Sequence, residues 1–179
     1  MSIRGKQRTL KKAIAFEGIG LHTGHHNRMV VHPAPENHGY KFQRVDVEGQ
    51  PIIDADVDLV VSTRRGTTLE KGGVQVHTTE HILAALYGSE VDNALIELSG
   101  PEIPIMDGSA GIFTRLITEA GIIKQAAPKH FLIVKKPIEV IDNDKSVTVY
   151  PEPCFKITCR IDFDHPLIGK QEISFDQAK

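Results

Sequence analysis

The chain has 179 residues, 40% hydrophobic and 25% charged, with 21 Lys and Arg against 23 Asp and Glu for a formal charge of -2. That length fits one ordinary domain or two small ones, and that mixture excludes disorder, collagen and disulfide-dense scaffolds. With no basic surplus nucleic acid is a poor partner, and with no apolar run near the roughly 18–20 residues of a membrane helix no stable membrane insertion is expected. The opening MSIRGKQRTLKK leads into no signal-like apolar stretch, so a cytoplasmic location is expected.

Alternating or β-branched runs punctuated by Gly, Pro, Asn and Asp predict strands over Arg8–Phe16, Arg28–His32, Tyr40–Arg44, Arg65–Leu69 and Val74–Val76. Between the first two, GIGLHTGHHN reads as a tight exposed loop carrying His22, which is either a solvated ring or part of a site. His25 and His26 are adjacent, so their side chains diverge and are read as surface groups. In STRRGTT, Arg64 and Arg65 either meet phosphate groups through bidentate contacts or guard a solvated strand edge. EKGG reads as the turn of a hairpin.

From Thr79 the period changes. Ile82, Leu83, Ala85 and Leu86 recur at helical spacing, with Thr78 or Thr79 as N-cap and Gly88 as the stop. At the start of this helix Glu80 and His81 offer a general base and a zinc ligand from one rigid turn. The alternative is a carboxylate favoured by the helix N-terminus beside a hydrogen-bonded ring. HTTEH also matches the HxxEH pattern of inverted zinc proteases, but that reading needs His77 inside the helix, whereas the VQV alternation before it puts it at a strand end.

A strand follows over Asn93–Leu98, then the proline-stiffened loop GPEIPIMDGS, then a helix over Ala110–Ala120 capped by Ser109 and stopped by Gly121. Asp107 in that loop is first of all a turn former and second a candidate site carboxylate. The result is an α+β fold, a two-layer sheet-and-helix unit over residues 1–125, with AAPK at 126–129 as a linker. Residues 130–179 carry a strand, a polar turn around Asp142–Lys145, a return strand and FKITCRIDF as a third, an incomplete strand-rich second unit. Cys154 and Cys159 lack CxxC spacing and are read as small core or strand residues.

In this order, QRTLKK, GIGLHTG, HPAPENHGYKFQR, STRRGTT, TTEHILAAL, DNALIEL, PEIPIMDGSA and IDFDHPLIG resemble the zinc-dependent UDP-3-O-acyl-N-acetylglucosamine deacetylases of lipid A biosynthesis. The resemblance implies a cytoplasmic hydrolase that removes the N-acetyl group from an acylated UDP-sugar, built as two similar α+β units with zinc and substrate between them. It makes His81 a zinc ligand, Glu80 the base, His22 a residue near the active site and Asp107 a supporting residue. The family's other two zinc ligands, its general-acid histidine and its oxyanion threonine fall beyond Lys179, and His130 and His165 do not match them. The expectation is therefore an N-terminal portion, inactive alone, with apolar surface exposed on the face of its first unit. The competing reading is a non-catalytic nucleotide-sugar-binding module or a subunit that shares its active site with another chain. HPAPENHGYKFQR further resembles the branch in which the deacetylase is fused to a downstream β-hydroxyacyl carrier-protein dehydratase.

Overall fold

The computed structural model describes residues 5–176, and it divides the chain into two units, 1–129 and 130–179. Residues 177–179, the end of the expected second unit, lie outside the described residues.

The strand expected over 8–16 is two strands, β1 (Lys6–Leu10) and β2 (Ile14–Ile19). A bend at Lys11 and Lys12 separates them, and the Lys11 N–H donates to the Gly121 carbonyl (2.8 Å). Two successive lysines interrupt the apolar alternation, and the two halves join different sheets. β2 pairs with β3 (His26–Pro33), and β3 pairs with β9 (Ala94–Leu98). β9 runs parallel to β4 (Tyr40–Arg44), and β5 (Ile52–Asp54) closes the other edge. The register sets Met29 opposite Leu98, Val31 opposite Ile96, and Phe42 beside both Ile96 and Ile53, all fully buried on one face. Period-two alternation dictates this, since every second residue of a strand points the same way.

Helices α1 (Glu80–Gly88) and α2 (Gly111–Ala120) contribute Ile82, Ala85, Leu86, Phe113 and Ile117 to the same core. Phe113 meets Phe16 of β2 with ring centroids 5.1 Å apart. This is the mixed α+β class the sequence implies. Neither threonine caps α1 through its side chain: Thr79 takes the N-cap position with a helical backbone, and the Thr78 hydroxyl bonds elsewhere. At α2 the N-cap position falls on Ala110 rather than the expected Ser109, whose hydroxyl accepts from the Gly111 N–H (3.1 Å), and Gly121, at φ 79°, ends the helix.

A second, three-stranded sheet holds β6 (Val60–Ser62), β7 (Thr68–Lys71) and β8 (Val74–Val76), with Gly72 and Gly73 turning the β7–β8 hairpin at φ 60° and 80°. The strand expected from Arg65 starts only at Thr68, because Arg65 stands in the left-handed region at φ 61° and breaks the extended run.

AAPK is not a linker. Ile122–Pro128 forms β10, antiparallel to β1, and the N–H groups of Ala126 and Ala127 donate to the Glu36 carboxylate. With these groups paired and the Lys129 N–H on the Gly5 carbonyl, the first unit runs to Lys129 rather than residue 125.

In the second unit β11 (Ile138–Asp142) and β12 (Lys145–Val149) form one hairpin, and β13 (Lys156–Phe163) and β14 (Gly169–Asp176) form another. None of its described residues is buried. One face of the second hairpin carries Ile157, Cys159, Ile161, Phe163, Ile173 and Phe175, and the other carries Thr158, Arg160, Glu172 and Lys170. Cys159 is thus an exposed strand residue, and Cys154 is half-buried with its thiol 3.8 Å from Asp176 Oδ1. Exposed apolar side chains in the first unit include Ile19 and Leu21, which flank the His22 loop.

Hydrogen bonds from Lys41 (2.7 Å) and Lys71 (2.9 Å) lower the Asp54 carboxyl from 3.8 to about 2. A depressed carboxylate stabilises fully above its unfolded value and loses that contribution as pH falls through the folded one. Wild type is expected to lose more melting temperature than Asp54→Asn between pH 4 and pH 2, by a small margin because the carboxylate is partly exposed. Parallel melting curves for the two proteins across that window would show that the lysine pair contributes nothing.

Candidate active site

The segment after β9 threads between two others. The His77 N–H donates to the Pro101 carbonyl (2.8 Å), and the Ile103 N–H returns a bond to the His77 carbonyl (3.2 Å). The Ile105 N–H donates to the Ile19 carbonyl (3.0 Å), so the PEIPIM run of the sequence lies against both the His22 loop and the residues that lead into α1. Glu102 stands in the middle of this run and is fully buried.

The Glu102 carboxylate accepts from the backbone N–H groups of His22 (3.0 Å) and Thr23 (2.8 Å) and from the Thr78 hydroxyl (2.8 Å). Burial would raise its pKa, but these donors outweigh burial and hold it below the usual glutamate value. A Cβ on Gly20 would come within 2.3 Å of Glu102 Oε2, so the loop approaches the carboxylate closely enough to require glycine there.

The His22 ring reaches over to the loop before β7. Its Nε2 donates to the Arg65 carbonyl (2.8 Å), which leaves Nδ1 as the lone-pair nitrogen of the neutral ring. On the first turn of α1, one oxygen of Glu80 accepts from the Thr67 N–H (2.9 Å), while the other lies 3.9 Å from His81 Nε2. A cleft of about 210 Å³ is lined by His22, Thr23, Arg64, Gly66, Thr68, His77 and Thr78. Over Gly66, the point where a Cβ would stand lies 3.4 Å from Glu80 Oε1, 3.6 Å from His22 Nε2 and 3.6 Å from Thr78 Oγ1. A carboxylate, an imidazole and a hydroxyl thus converge beside Gly66.

Arg64 lines this cleft, and Arg65 contributes its carbonyl to it through His22. Asp107 is exposed and turns back on its own chain, accepting from the Ser109 N–H (3.0 Å) and hydroxyl (2.9 Å), which hold its carboxyl below the usual range. It does not line the cleft. His77 lies outside α1, its Nδ1 sharing a hydrogen bond with Thr68 Oγ1 (3.1 Å), so it does not share a helix face with His81 as the protease pattern demands. The sequence marks Thr78 only as a candidate N-cap and gives Gly66 and Glu102 no role. Their only signals were a glycine and a threonine in otherwise ordinary runs and one acid in a proline-rich loop.

Among the described residues no group of three His, Cys, Asp or Glu side chains could hold a metal ion. His81 is suited to give one imidazole ligand from a rigid turn, and nothing within these residues closes a three-ligand zinc site around it.

The model of the UDP-3-O-acyl N-acetylglycosamine deacetylase family matches residues 7–179. The chain belongs to this family. A UDP-3-O-acyl-N-acetylglucosamine deacetylase of Methylococcus capsulatus is 49% identical over 165 residues, 92% of this chain and 54% of the relative. One from Myxococcus xanthus is 45% identical over 170 residues, 95% of this chain and 54% of the relative. A bifunctional enzyme LpxC/FabZ of Chlorobaculum tepidum is 47% identical over 167 residues, 92% of this chain and 36% of the relative. The chain spans about half the length of the deacetylases it matches, or less for the bifunctional kind. Stand-alone and bifunctional deacetylases match it about equally well, so identity does not separate the two contexts. Among the described residues no helix is long and apolar enough to cross a membrane.

Proposed function

We propose that this chain supplies the Glu80–His81 part of a zinc-dependent deacetylase centre that hydrolyses the N-acetyl group of UDP-3-O-acyl-N-acetylglucosamine in lipid A biosynthesis, in the cytoplasm. The family match carries the proposal, and the convergence of Glu80 and His22 over Gly66 supports it. In this reading the first unit is one of two similar α+β units, and the remaining zinc ligands come from residues that follow in the family. The bifunctional relatives support a fused dehydratase as an alternative setting for the same unit.

Bound zinc would polarise the amide carbonyl and acidify a water. Glu80 is positioned to take the proton of the attacking water at Oε1, since Oε2 is already occupied by the Thr67 N–H. Water adds to the acetyl carbon, the C–N bond breaks, acetate leaves, and the sugar nitrogen gains a proton. In this reading Arg64, which lines the cleft, and Arg65 meet the diphosphate, and Asp107 supports through the turn into α2. A second reading, a non-catalytic nucleotide-sugar-binding module or a subunit sharing its site with another chain, fits the same observation that no three-ligand cluster forms among the described residues.

Zinc titration into metal-free protein tests the half-site. Binding is expected to be weak and non-saturating at equimolar metal, and weaker still in His81→Ala. Tight one-to-one zinc in the 179-residue chain would overturn the half-site. UDP-sugar affinity that persists without zinc would favour the binding module.

A further inference from the structure

The Glu102 carboxylate touches both halves of the site, and it does so from full burial. One side receives the backbone of the His22 loop at His22 and Thr23, and the other receives the Thr78 hydroxyl. Thr78 is itself anomalous. It is β-branched, fully enclosed and held at φ 61°, a backbone conformation that such residues rarely adopt, and it lies two residues before Glu80. A strained residue persists only where its surroundings over-determine it, and here the bond to a buried carboxylate (2.8 Å) is one such constraint. The backbone of Glu102 adds another, since its carbonyl accepts from the Asn27 side chain (2.9 Å) and its neighbours bracket His77.

A buried carboxylate of this kind is costly unless every donor around it is in place. Packing alone would have been served by an apolar side chain at this position. The carboxylate instead selects a single arrangement in which the His22 loop and the entrance to α1 are both fixed to it.

We infer that Glu102 is a positioning residue, which holds the His22 ring and the Glu80–His81 turn in register with each other across the cleft. It does not itself line the cleft; it acts through His22 and Thr78, which do. The catalytic consequence rests on the proposed deacetylase function, whereas the positional claim does not.

The test is nuclear magnetic resonance on the full 179-residue chain. Wild type is expected to show proximity signals between the His22 ring and the protons of Arg65 and Gly66, and between Phe16 and Phe113 as a marker of the intact core. In Glu102→Gln the His22 signals should be lost while the Phe16–Phe113 signals remain. Thr78→Val, which removes one hydroxyl without changing the branching, should weaken the His22 signals, and Thr78→Ser should restore them to the wild-type level. Should Glu102→Gln fail to fold, the Thr78 pair decides alone. Full His22 signals in folded Glu102→Gln, or equal signals in Thr78→Val and Thr78→Ser, would overturn the inference. A failed deacetylase assay would leave these readouts untouched and count only against the proposed function.

Discussion

Phe113→Ala is expected to destabilise the first unit by about 3–5 kcal/mol, the usual cost of removing a buried phenylalanine ring. Phe113 is fully buried on the inner face of α2, and its ring meets Phe16 at 5.1 Å with the planes tilted by 54°. The substitution removes both the apolar transfer term and a tilted aromatic contact worth about 0.5–1.5 kcal/mol. Because a domain of this size is stable by only about 5–15 kcal/mol in total, the loss is a large share of what holds α2 on the sheet. Urea unfolding followed by circular dichroism measures it, with Leu116→Ala as the comparison, since Leu116 is only partly buried against the same core. A cost for Phe113→Ala below that of Leu116→Ala would mean that α2 does not rest on the sheet through this ring.

The legible parts of the fold are those whose signal is local. Ile82, Ala85 and Leu86 lie on one turn-to-turn stripe, and α1 buries that stripe. Tyr40–Arg44 and Val74–Val76 alternate or branch strongly enough to read as the strands they are. Glu80 and His81 were legible as an adjacent pair at a helix start, and α1 begins with them. What stayed hidden is decided at a distance. Ala126 and Ala127 have no periodic signature, and their place in β10 depends on β1 and on the Glu36 carboxylate some ninety residues earlier. Val60–Ser62 is too short to show alternation, and β14 holds only Ile168-adjacent glycine, Ile173 and Phe175 as landmarks among polar residues. Glu102 is the clearest case. Locally it is one acid in a proline-stiffened loop, and its role exists only once His22 and Thr78 arrive from 80 and 24 residues away.

Glu80→Gln is expected to reduce acetate release from UDP-3-O-acyl-N-acetylglucosamine by about 10²–10⁴-fold in the complete deacetylase, the usual contribution of a positioned general base. The substitution is nearly isosteric. A glutamine oxygen can still accept from the Thr67 N–H, which now holds Glu80 Oε2 at 2.9 Å, so the side chain should keep its place at the start of α1. What disappears is the proposed proton-accepting oxygen, which lies beside Gly66 together with the His22 ring. The loss should therefore fall on kcat with KM little changed, the pattern of an interaction made only in the transition state. Glu80→Ala separates the two roles of the carboxylate, because it also releases Thr67 and with it the loop that carries Arg65 and Gly66. It should lower kcat at least as much and raise KM as well. A fall of less than tenfold in Glu80→Gln, with Glu80→Ala far worse, would make Glu80 a structural clamp on the loop before β7 and would move the base to another residue of the site.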